Sequence, residues 1–168
     1  MKKITTADFS KINSAFSCFP TVLVTCDENI ITVTLVHIFS FSPLLIGIGI
    51  KPERYSYSLI KDRKEFVVNI PTKELLEQTI FCGTKSGKDF DKFKETNFTK
   101  EKSDIVKSAG IKECPVNIEC KVVQEIDTGD RTWFVGEVVN SKIAENFNVE
   151  DSILYWKGKY RVPGNIIN

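Results

Sequence analysis

The stretch VNIECKVVQEIDTGDRTWFVGEVVNS, Val116 to Ser141, alternates in a way only an extended chain can use. Val116, Ile118, Cys120 and Val122 fall on one face of a strand, and Asn117, Glu119 and Lys121 on the other. The pattern predicts one side against a core and one side wet. Asp127-Thr128-Gly129-Asp130 reads as a hairpin turn, so RTWFVGEVVNS should return as an antiparallel neighbour. Gly136, inside that second strand, predicts a bulge or the close approach of another group.

Working outward, TVLVTC (21–26), IITVTLV (30–36), LLIGIGI (44–50) and EFVVNIP (65–71) are short β-branched runs bounded by turn residues, which is the strand signature. Helical signals are fewer. A short helix is predicted over 56–62. Thr72 reads as an N-cap for KELLEQTIF, with Leu75, Leu76, Thr79 and Ile80 as its apolar stripe and Gly83 as its end. Residues 92–110, rich in Lys, Glu, Ser and Thr, read as a surface excursion. Six or seven strands with two or three inserted helices predict a closed or partly closed antiparallel barrel rather than a doubly wound parallel sheet. At 168 residues and 42% apolar, the chain is read as one domain, 1–168.

Twenty-three Lys and Arg against 22 Asp and Glu leave a formal charge of +1, so there is no general attraction for nucleic acid or an anionic membrane. Any anion site must be local. Five cysteines without a C-x-x-C pair support neither a disulfide framework nor a zinc ribbon, and are read as core thiols. Asp8 and Lys11 interrupt a signal-like N-terminus, and no apolar run reaches the ~18 residues of a membrane span, which points to the cytoplasm. His37 is the one histidine and is read as a loop residue. No nucleophile elbow, P-loop or G-x-G-x-x-G accompanies it, so acid–base or nucleophilic catalysis has no evident machinery, and no catalytic residue is assigned.

Small hydroxyl, glycine and cationic groups remain: Thr32-Val33-Thr34, Ser40-Phe41-Ser42-Pro43, Arg54-Tyr55-Ser56 and SGKDFDKF (86–93). A phosphate requires backbone N–H groups, hydroxyl donors and fixed cations, because its charge is costly to desolvate without them. These segments supply all three. Singly, each also has an ordinary reading as strand residue, turn, helix cap or solvated helix start.

In their order along the chain, KPERYSYSLI, CGTKSGKDFDKF and CPVNIECKVV resemble the flavin reductase-like proteins, in particular the flavoredoxin-like branch, from about Phe19 to Gly164. The resemblance implies a mainly β fold with inserted helices, an antiparallel Greek-key split β-barrel that binds FMN. It implies that the isoalloxazine lies against Thr32, Val33, Thr34 and Leu35. Phosphate and ribityl contacts would come from Arg54, Tyr55, Ser56, Ser86, Gly87 and Lys92. The family's activity implies hydride transfer from NADH or NADPH through FMN to a second acceptor; an electron carrier fed by a redox partner protein is the alternative, and a flavin-free binding barrel a third. A homodimer is also implied. Two departures stand out: Leu35 occupies a position often aromatic in the branch, and Arg131, on the expected nicotinamide side, follows Gly-Asp where many reductases have histidine.

Overall fold

The structure, a computed structural model, describes residues 18–164 together with Thr5, Ile12, Ala15 and Phe16. From the start of the described chain, the strands run β1 (Phe19–Pro20), β2 (Val22–Cys26), β3 (Asn29–Val33), β4 (Val36–Phe41) and β5 (Leu44–Ile50). Helix α1 (Tyr55–Arg63), strand β6 (Glu65–Ile70), a 3-10 turn (Lys73–Leu75) and helices α2 (Leu76–Thr84) and α3 (Lys92–Thr96) follow. The remainder comprises β7 (Lys100–Glu101), β8 (Gly110–Ile111), β9 (Val116–Asp127), β10 (Thr132–Ile143), β11 (Leu154–Trp156) and β12 (Lys159–Arg161).

Seven strands form one antiparallel sheet in the order β3-β2-β6-β9-β10-β5-β4. Its two edges, β3 and β4, are consecutive in the chain and separated by Thr34 and Leu35 alone. The sheet must therefore curl until its edges meet, which is the split-barrel architecture. Gly49 N–H donates to the Leu35 carbonyl at 2.8 Å and carries the β5 ladder into the junction. The run 30–36, expected as one strand, is thus broken at Thr34–Leu35, because its first half pairs with β2 and its second with β5. His37 consequently lies on β4 opposite Gly47, not in a loop.

The β9–β10 hairpin is as predicted. Gly129 turns it at a φ of 93°, and the register shifts between Val135 and Gly136. A Cβ on Gly136 would stand 2.6 Å from Phe66 Cζ and 2.8 Å from Cys120 Cβ, so the bulge and the close approach expected there are one feature. Inside the barrel, Val22, Val24, Ile46, Ile48, Phe66 and Phe134 form the main core, and Ile60 of α1 packs into it.

The outer face corrects the reading of a wet side on β9. Asn117 and Glu119 are buried, because residues 98–111 cross over them. Leu23, Ile30, Cys82, Phe93, Phe98, Ile111 and Cys114 make a second core there, so the expected surface excursion is in large part a cover. Two-sided burial also explains why VLVTC is buried throughout and apolar but for Thr25, whose Oγ1 donates to the Ala109 carbonyl at 2.6 Å. Cys26, Cys82, Cys114 and Cys120 are buried as expected, and Cys18 is exposed. Among the described residues, no helix is long and apolar enough to cross a membrane.

Candidate functional site: a two-lobed cleft at the strand junction

Strand β3 is an edge, hydrogen-bonded to β2 on one side only. Its other side opens on a cavity of about 180 Å3 lined by Ile31 through Leu35 with Gly49, Ile50, Lys51, Arg54 and Arg131. In an antiparallel strand the N–H and C=O of alternate residues share an edge. Ile30 turns its carbonyl away from β2 to accept from Lys92 Nζ at 2.6 Å, so the next groups on that open edge belong to Thr32. The Thr32 side chain is already engaged: Oγ1 donates to the Thr79 carbonyl of α2 at 2.5 Å. Gly83 lies against it, where a Cβ would come within 3.1 Å of Thr32 Cβ. Gly83 therefore sits inside α2, which continues to Thr84, and serves close packing rather than the expected helix end. The buried positions of α2 are Thr79 and Cys82, while Ile80 of the expected stripe is exposed. Thr72 begins the 3-10 turn, not the α-helix.

The second cavity, about 150 Å3, adjoins the first at Ile31 and Arg54, which line both. Asn29, Tyr55, Ser56, Lys85, Ser86, Gly87 and Lys92 complete its walls, with Glu53, Cys82 and Gly83. Each lobe alone is smaller than the ~300 Å3 of an ordinary small-molecule site, so a ligand here would have to be elongated and occupy both. The second lobe is built for an anion. Arg54 is the N-cap of α1 and makes no side-chain cap bond, and the first turn of α1 holds no acidic residue, so the positive end of the helix lies at the cavity, with Glu53 before it as the one carboxylate in the lining. Lys92 is only 3% exposed. Its Nζ donates to the carbonyls of Ile30 and Cys82 at 2.6 and 2.8 Å. Burial, reinforced by neighbouring Arg54, pushes its pKa down to about 8. Among the described residues, no carboxylate forms an ion pair with Lys92 or Arg54.

All the residues that the resemblance assigns line this cleft: Thr32, Val33, Thr34, Leu35 and Arg131 the first lobe, Tyr55, Ser56, Ser86, Gly87 and Lys92 the second, and Arg54 both, whereas Ser40-Phe41-Ser42-Pro43, at the far end of β4, lines neither lobe. Arg131 is less free than expected, since its Nε and Nη2 hold the Asp130 carboxylate at 2.8 and 2.6 Å. Asn29 and Lys85 were missed. Asn29 is the first residue of β3, but a polar residue after a turn gives no sign that it will be buried.

The chain matches the family described as "Flavin reductase like domain" over residues 15–164. A protein of Archaeoglobus fulgidus, described as uncharacterized, is 46% identical over 112 residues, 67% of this chain and 63% of its own length. This chain thus matches less than two thirds of that relative. In fold, it resembles the flavoredoxin of Methanosarcina acetivorans (TM-score 0.89, 23% identity, 100% of this chain and 95% of that one). It is similarly close to the flavoredoxin of Desulfovibrio vulgaris (TM-score 0.87, 23% identity, 100% and 96%). With the family match extending over most of its length and the barrel built as described, the chain belongs to the flavin reductase-like family.

Proposed function

We propose that the protein is an FMN-binding oxidoreductase that passes reducing equivalents from NADH or NADPH to a second acceptor. One observation carries this reading: a lobe open along the free edge of β3 adjoins a lobe lined by three cations, Arg54, Lys85 and Lys92, that have no carboxylate partner among the described residues. FMN has the matching shape, a flat ring with a polar edge joined by a polyol to a phosphate. The fit does not depend on the family alone. A buried ammonium without a counter-charge is costly, and a phosphate monoester supplies the missing charge.

On this reading the outward backbone groups of Thr32 meet the polar edge of the ring, while Val33, Thr34 and Leu35 form the floor beneath it. Arg54, Lys92, Ser56 and the Ser86-Gly87 backbone hold the phosphate. Bound flavin supplies hydride acceptance and release, so the chain needs no acid–base dyad for that step and acts by aligning donor and ring. Arg131 lies beside Gly49 at the first lobe, which supports its assignment to the nicotinamide side. Its guanidinium can share a dinucleotide oxygen without leaving Asp130, because two of its five N–H donors are engaged there.

Anaerobic stopped-flow mixing of the FMN-loaded protein with each dinucleotide tests the proposal. We expect loss of flavin absorbance with NADH or NADPH, and a several-fold rate change in Arg131→His with FMN affinity nearly unchanged. Reduction by dithionite but by neither dinucleotide would refute the reductase reading and favour an electron carrier served by a protein donor.

A further inference from the structure

The buried amide of Asn29 is a link the cleft needs and the proposed function does not use. Asn29 Nδ2 donates to Ser56 Oγ at 2.7 Å, between two side chains that are both almost fully buried. Its other end, Oδ1, has no hydrogen-bond partner and lies against Gly87, where an added Cβ would come within 2.0 Å of it. In this orientation the amide bonds Ser56 through Nδ2 and the atom left without a partner is a carbonyl oxygen, which is tolerated in protein interiors more often than an orphaned N–H group. Ser56 Oγ is therefore an acceptor towards Asn29. Among the described residues it has no other hydrogen-bond partner, so its own proton is left for whatever fills the second lobe.

We infer that Asn29 is a positioning residue that, by donating to Ser56 Oγ, holds the Ser56 hydroxyl as a proton donor aimed at the ligand's phosphate. The inference rests on the FMN reading above. It deepens that reading, because a serine at the start of a helix would otherwise be free to turn its proton back to a backbone carbonyl. It also gives Gly87 a role: only a residue without a Cβ leaves room for the Asn29 amide.

A double-mutant cycle on FMN and riboflavin affinity tests it. Ser56→Ala removes a hydrogen bond to a charged group and should weaken FMN about tenfold. Asn29→Ala should weaken FMN on the order of fivefold, and the double variant no more than Ser56→Ala alone, because Asn29 acts only through that hydroxyl. Riboflavin, which lacks the phosphate, should bind all variants alike. Additive losses, equal losses for riboflavin, or no loss in Asn29→Ala would overturn the inference. If Asn29→Ala does not fold, Asn29→Asp serves instead. Its carboxylate would accept the Ser56 proton and turn it from the ligand, so its loss of FMN affinity should shrink in the Ser56→Ala background, and an unchanged loss would overturn the inference. The wild type is the separating control: failure to bind FMN at all would defeat the proposed function and this inference together, whereas normal binding with the wrong pattern among variants defeats the inference alone.

Discussion

Lys92 is held by two carbonyl oxygens and no carboxylate, so its proton responds to what occupies the cleft. In the free protein its pKa is lowered from 10.5 to about 8 by burial. The unfolded chain thus holds more protons between those values, and the contribution of Lys92 to stability rises with pH across that window. Ligand binding has the opposite sign. A bound phosphate favours the charged ammonium, so FMN affinity should be fully developed below about pH 8 and decline above it. We expect FMN to bind about tenfold more weakly at pH 9.5 than at pH 7, riboflavin to change little, and Lys92→Met to abolish the difference. An equal decline for riboflavin would show that another group titrates. The types and spacing of the site residues were legible in SGKDFDKF, but the depth of Lys92 was not. A lysine in a stretch of alternating charge reads as solvated, and only the fold reveals the two carbonyls beneath it.

Among the elements, β9 shows where alternation informs and where it misleads. Val116, Ile118, Cys120 and Val122 do share one face, yet Glu119 on the other is buried, accepting from the backbone N–H groups of Asp104, Ile105 and Val106 at 2.7–3.0 Å and from Asn140 Nδ2 at 2.9 Å. Glu65 does the same for Lys107 and Ser108. Two carboxylates thus fasten a cover that has no hydrophobic period of its own, which is why residues 92–110 read as a surface excursion. Burial pushes the Glu119 pKa up, but the N–H donors together outweigh it and hold the group below the usual carboxylate range. Its stabilisation is therefore present above the unfolded value of about 4.3 and is lost as pH falls through the lower folded one. Glu119→Gln should cost about 1.5–3 kcal/mol in thermal or denaturant unfolding at pH 7, and the gap from wild type should narrow below about pH 4. A gap independent of pH would mean that the charge of Glu119 is not what holds the cover.

For the whole molecule, the hairpin and strand runs made an antiparallel barrel legible, but not its closure. The break at Thr34–Leu35 carries no glycine or proline, and is imposed by pairing one strand with two different neighbours. The β4–β5 hairpin beyond it exposes Ile38, Phe39, Phe41 and Leu44, with Phe41 at 83%. We propose that this cluster at a sheet edge serves self-association, and expect a dimer through it. Sedimentation should give a dimer for the wild type and a monomer for Phe41→Asp; a monomeric wild type would refute this.

The central claim is that the cleft binds FMN with its phosphate in the lobe of Arg54 and Lys92, and equilibrium titration of the flavin-free protein with FMN and with riboflavin tests it most directly. The account predicts one FMN per chain, riboflavin weaker by about tenfold or more, and Arg54→Ala removing most of that difference. Equal affinity for the two flavins in the wild type, or no binding of either, would contradict it.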